Sequence, residues 1–125
     1  MPARRLSRPL VTALDDAKII GLRAGSEDHR FIGVWVVVVG DRAFVRPWND
    51  KPTGWRRAFL DDPVGLLQVG EREVRIRVKP ARGEQLWDRV DDAYALKYPT
   101  PGSRAYVRGF RTPRRRATTL ELLPR

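Results

Sequence analysis

The chain has 125 residues, 42% of them hydrophobic, and its 25 Lys and Arg against 15 Asp and Glu leave a formal charge of +10. That length supports one domain with one modest core, and so basic a balance favours anionic ligands or partners. Cysteine is absent, which excludes disulfides, thiolate metal sites and cysteine nucleophiles together. No apolar run is long enough to span a bilayer, and the Arg-bearing N-terminal stretch lacks the apolar segment of a secretory signal, so a cytoplasmic protein with no membrane partner is expected.

In chain order, residues 1–16 read as an N-terminal arm in which Leu10, Val11 and Leu14 make a helical turn, and residues 17–125 read as the domain itself. Lys18 to Leu22 predicts a short strand, ended by the polar stretch from Ala24 to Asp28. Phe31 to Val39, rich in β-branched residues, predicts one strand that turns at Gly40-Asp41 into a second, Ala43 to Arg46. A strand so continuously apolar is buried on both faces, inside a closed barrel or beneath a helix. Trp55 to Leu60 predicts a short helix stopped by Asp61, Asp62 and Pro63.

Val64 to Val69 and Glu71 to Lys79 flank Gly70 as a hairpin, with Val74, Ile76 and Val78 alternating against Glu73, Arg75 and Arg77. From Arg82 the spacing changes: Leu86, Trp87, Val90, Ala93 and Tyr94 recur at three and four, an amphipathic helix running to about Tyr98 and stopped by Pro99 and Pro101. Arg104 to Arg111 and Ala117 to Leu123 read as two closing strands joined by a turn. Six or seven short, mostly antiparallel strands with one short and one longer helix predict a mainly β fold, a small barrel whose closure removes exposed edges.

The single histidine, His29, excludes a histidine-rich metal centre and reads as a turn residue, while Ser7, Ser26 and Ser103 fall in predicted loops; no metal site and no obvious nucleophile with a matched base are expected. The acid pairs Asp15-Asp16, Asp61-Asp62 and Asp91-Asp92 are adjacent, so on a helix their side chains diverge. Asp91 and Asp92 are placed on the wet face of the long helix.

The stretch FVRPWNDKPTGWRRAF, Phe44 to Phe59, carries the best candidate site. Arg46 ends a strand; Pro47, Asn49, Asp50, Pro52 and Gly54 turn the chain; Lys51, Arg56 and Arg57 gather where a helix starts. Backbone N–H groups at a helix start beside guanidinium forks suit a phosphate, and Trp48 and Trp55 suit a planar ring. Together they fit an aromatic head with a phosphate tail, such as flavin mononucleotide (FMN). The competing reading puts Trp55 and Phe59, four apart, on the core face of the helix and its arginines in solvent. A second cluster, Arg104, Arg108, Arg111 and Arg114 to Arg116, surrounds Tyr106 and Phe110. On a strand Tyr106, Arg108 and Phe110 share a face, a platform for single-stranded nucleic acid, and the +10 charge supports an alternative, noncatalytic reading in which the basic barrel binds an anionic partner such as nucleic acid or a metabolite.

Four stretches, VWVVVVGDRAFVR (Val34 to Arg46), WRR (Trp55 to Arg57), DDAYALKY (Asp91 to Tyr98) and ATTLELLPR (Ala117 to Arg125), resemble a bacterial family of unknown function, the one numbered 2255 among such domains and grouped with the flavin-binding split barrels. The resemblance implies a small antiparallel Greek-key split β-barrel that pairs as a homodimer, with FMN or a related deazaflavin in a groove between protomers. It also implies cations after the third strand at the cofactor phosphate: Arg46, Lys51 and Arg57 here, with Trp48 or Trp55 near the ring. Family members tend to carry Arg-Ser and then Gly at that point, where this chain has Arg46, Pro47 and Trp48. Proline has no N–H to donate and the indole adds bulk.

Overall fold

The run read as one strand from Phe31 to Val39 is divided at Trp35 into β2 (Ile32–Val34) and β3 (Val36–Val39), and this division closes the sheet. The computed structural model describes residues 5–25 and 30–125, so Ser26 and His29 lie outside the described residues. β2 pairs with β1 (Ile20–Ala24), whereas β3 pairs with β4 (Arg42–Val45). With β5 (Val64–Val69), β6 (Arg72–Pro80) and β7 (Leu120–Pro124), the order is β2-β1-β5-β6-β7-β4-β3, every pair antiparallel. The two end strands are consecutive in the chain, so one extended stretch seams both ends and the seven strands form a small, nearly closed barrel consistent with a split β-barrel. Gly40 (φ 64°) and Gly70 (φ 59°) supply the left-handed residue in the turns of the β3–β4 and β5–β6 hairpins.

Alternation along the strands fills the interior with Ile20, Leu22, Val36, Ala43, Val45, Leu67, Ile76, Val78, Leu120 and Leu122. Two helices add to it. α2 (Trp55–Asp61) contributes Phe59, and α1 (Arg8–Asp16), formed by residues assigned to the N-terminal arm, contributes Leu10 and Leu14. The start of α1 is set by Ser7, whose hydroxyl accepts from the Leu10 N–H, and by Pro9 in the first turn. Each fully buried Leu or Phe side chain contributes about 1.5–3 kcal/mol.

A second cluster lies on the outside of the same sheet. α3 (Glu84–Lys97) and α4 (Pro101–Phe110) bring Val90, Tyr94, Val107 and Phe110 against Val37 and Phe44, so β3 and β4 are buried on both faces. α4 corrects the strand expected from Arg104 to Arg111, and α5 (Pro113–Arg116) precedes β7, which starts at Leu120 rather than Ala117. Both helices begin with Thr-Pro: Thr100 and Thr112 are the N-caps, and Pro101 and Pro113 enter the first turn, where a missing N–H costs nothing. Pro101, read as a stop for one helix, is the start of the next. In α4, Arg108 turns away from Val107 and Phe110, and the three-residue strand platform of Tyr106, Arg108 and Phe110 does not form.

The carbonyls at the Trp35 division are bonded from α3. Tyr94 Oη donates to the Trp35 carbonyl (3.3 Å), and Lys97 Nζ donates both to Val36 O (2.7 Å) and to Leu14 O (2.9 Å) in the last turn of α1. Burial lowers the Lys97 pKa from 10.5 to about 8 against a partial pull from Asp15, and burial pushes Tyr98 up from 10.0 to about 12. Between pH 8 and 10.5 the unfolded chain therefore holds a proton at Lys97 that the folded chain has released, and stability rises with pH in that window. Tyr98 acts in the opposite sense: its contribution is complete below pH 10.0 and is lost as pH climbs through about 12. Urea midpoints should accordingly climb from pH 8 towards 10 in the wild type, and the climb should shrink in Lys97→Met; parallel curves for the two proteins would contradict the assignment.

Candidate functional site

Period-two alternation places Arg42, Phe44 and Arg46 on the outer face of β4 and its continuation, and the helices cover that face. Arg46 is consequently buried, with no exposed side-chain surface. Its Nε donates to Thr119 Oγ1 (2.7 Å), Nη1 to Asp91 Oδ1 and to the Phe110 carbonyl (3.0 Å), and Nη2 to the Trp87 carbonyl (3.1 Å). Asp91 also faces Arg116 Nε at 3.1 Å. Asp91 is thus not on the wet face of α3; it shares the sheet-facing stripe with Val90 and Tyr94, while Asp92 is exposed. The guanidinium of Arg46 ties β4, α3, α4 and the approach to β7 together through internal hydrogen bonds.

Beyond Arg46 the chain turns outward. Pro47 is buried, Trp48 is 36% exposed, and Asn49 and Lys51 are exposed. The Trp48 ring meets Tyr106 (centroids 4.8 Å, 66°) and Phe110 (5.6 Å, 89°) edge to face, and Gly109 of α4 lies directly beneath it. The Arg115 guanidinium sits 3.7 Å from the Trp48 ring centroid, and its Nε donates to the Trp48 carbonyl (2.9 Å). Trp35, stacked parallel on Tyr98 at 4.0 Å, also approaches Tyr106 (5.9 Å) and Phe110 (6.2 Å).

These rings border an open cleft of about 640 Å³ between β2, residues 46–55 and α4, lined among others by Trp35, Trp48, Lys51, Trp55, Tyr106 and Phe110. The structure therefore brings Trp48, Lys51 and Trp55 to one opening. Two further sequence candidates are engaged by other groups, although Arg46 also borders this opening. Arg46 is spent internally, and Arg57, with Arg56, is held by Asp50: Arg56 Nη1 reaches Oδ2 at 2.9 Å and Arg57 Nη2 reaches it at 3.0 Å. Burial raises the Asp50 carboxyl, but the hydrogen bond from Arg57 and the charge of Arg56 outweigh this and hold its pKa below the ordinary value. Trp55 satisfies both sequence readings, since it packs on the interior cluster and lines the cleft. Trp35, Tyr106 and Phe110 were not assigned to this site from sequence. The spacing of Val107 and Phe110, with Tyr106 four before Phe110, is the helical signal that would have placed two of them.

Fold and cleft define a small antiparallel β-barrel with a ring-lined opening that includes a lysine in its lining. The chain belongs to DUF2255, a family described as uncharacterized protein conserved in bacteria, whose profile matches residues 10–122. No curated protein matches the chain significantly. Among the described residues, no helix is long and apolar enough to cross a membrane.

Proposed function

We propose that this cleft binds a planar phosphorylated ring of the flavin class, FMN or a deazaflavin, and that the protein is a cytoplasmic, homodimeric oxidoreductase built on it. The observation that carries the reading is the convergence of Trp35, Trp48, Tyr106 and Phe110 with the Lys51 ammonium around one opening of about 640 Å³, a size typical of small-molecule sites at about 300–1,000 Å³. The fit to such a group is good at the ring end. At the phosphate end it falls to Lys51, not to Arg46, and Arg57 already serves Asp50.

A bound flavin would supply hydride and electron transfer, chemistry that protein side chains lack. The chain's own part is to hold and orient. Arg115 and Gly109 fix the Trp48 indole, Tyr106 and Trp35 exclude water from the ring, and Lys51 offsets the phosphate charge. Exposed Ile32, at the rim of the cleft, and Ile19, packed beside Gly33, offer apolar surface for a second copy to cover.

Titration of FMN and of a deazaflavin, followed by ligand fluorescence, tests the reading. Saturable uptake is expected, weakened about tenfold in Tyr106→Ala through loss of one stacking wall. No uptake of either at high micromolar concentration overturns it. A second reading, binding of nucleic acid, is favoured by a different feature: Arg104, Arg108 and the C-cap Arg111 lie at i, i+4 and i+7 along the exposed side of α4 and its end. It predicts a mobility shift that fades steeply with salt, and absence of a shift at low salt ends it.

A further inference from the structure

Across the Trp48 segment from the aromatic cleft lies a second one, of about 560 Å³, walled by residues 47–52 on one side and by Thr112, Arg114, Arg115 and Thr118 on the other. Three of its side chains are cations: Lys51, Arg114 and Arg115. Among the described residues, none of the three is paired with a carboxylate. Elsewhere the arginines near carboxylates are matched: Arg42 with Glu121, Arg46 with Asp91, Arg56 and Arg57 with Asp50, and Arg116 with Asp88 and Asp91. Asp50, the carboxylate in the lining, is already divided between Arg56 and Arg57 and leaves the three cations uncompensated.

Arg115 is also held in place before any ligand arrives. Its Nε and Nη1 donate to the carbonyls of Trp48 (2.9 Å) and Gly109 (3.4 Å), and the indole supports the guanidinium plane. A fixed guanidinium loses little freedom on meeting an anion. Lys51 and Arg114 are exposed and carry the other two charges. Three like charges at one cleft repel one another, and a ligand bearing two or more negative charges removes that repulsion. Guanidinium forks match phosphate oxygens in particular.

We infer that this cleft is a second binding site, for a phosphate ester, in which Lys51, Arg114 and Arg115 hold the anion. The two clefts share Pro47, Trp48, Asn49 and Lys51, but the inference does not rest on the flavin reading, because two of its three cations, Arg114 and Arg115, line only this cleft. The ligand presents either the pyrophosphate of a small molecule or consecutive phosphodiesters of a single strand, the two sources of this chemistry.

Inorganic pyrophosphate, titrated into the ¹⁵N-labelled protein, tests it. Saturable shifts are expected at the Trp48 Nε1–H and the Arg115 Nε–H whether or not the protein takes up FMN, with affinity reduced about tenfold or more in Arg114→Ala. Arg75→Ala, which removes the same charge from the exposed side of β6, should leave affinity unchanged. A thymidine oligonucleotide that displaces pyrophosphate and binds more tightly identifies the strand as the source; one that fails to displace it identifies a small molecule. Absence of saturable shifts to about 10 mM for both ligands, or an equal loss in Arg75→Ala and Arg114→Ala, overturns the site.

Discussion

Asp91→Ala is expected to destabilise the protein by about 3–5 kcal/mol, because it leaves the buried Arg46 guanidinium without its counter-charge. The Arg46 side chain has no exposed surface, so water cannot replace the carboxylate. The same substitution removes the counter-charge that faces Arg116 Nε at 3.1 Å, a buried atom that makes no hydrogen bond. For a domain of this size the melting temperature should fall by about 10–20 °C. Asp91→Asn, which keeps one acceptor oxygen for Arg46 but loses the charge, should fall between Ala and the wild type. Urea unfolding of the three proteins measures the series, and an Asp91→Ala protein as stable as the wild type would contradict a buried ion pair. By the same reasoning Arg46→Ala strips the carboxylate of its partner and loosens the junction of β4 with α3 and α4. Any loss of ligand binding in that variant reports folding rather than a phosphate contact.

Gly109→Ala should have the next largest effect, and it acts on the cleft directly. A Cβ at 109 would overlap the six-membered ring of Trp48, and backbone on one side with a packed indole on the other leaves little room to yield. The expected cost is about 1–3 kcal/mol from overpacking. The indole must swing outward, which separates it from Tyr106, Phe110 and Arg115 together. Trp48 should become more exposed to a soluble quencher, and flavin uptake should weaken in step with it. A Gly109→Ala protein with unchanged quenching would show that the ring does not rest on α4.

What could be read from the sequence divides along physical lines. The β5–β6 hairpin was legible because one of its faces is wet, so apolar and charged residues alternate. α3 was legible from its spacing. Arg46 and Asp91 were not, because alternation places a residue on the outer face without revealing that helices cover it. Arg46 looked like a phosphate-binding cation and Asp91 like ordinary surface charge, and their pairing spans 45 positions of sequence. α4 was misread through Val107, Tyr106 and the two prolines, which resemble strand and breaker residues until Thr100-Pro101 is seen as a cap followed by a first turn. Trp48 and Lys51 stood out because turn-forming residues surround them, whereas Trp35, Tyr106 and Phe110 reach the same opening only after the barrel has closed.

The convergence of rings and cation at that opening is the premise of the functional reading, and a crystal grown with saturating FMN tests it most directly. The isoalloxazine should lie against Trp48 and Tyr106 with its phosphate beside Lys51 and the Arg46–Asp91 pair intact beneath. A flavin bound elsewhere on the barrel, or density showing the Trp48 indole itself filling the opening, would contradict it.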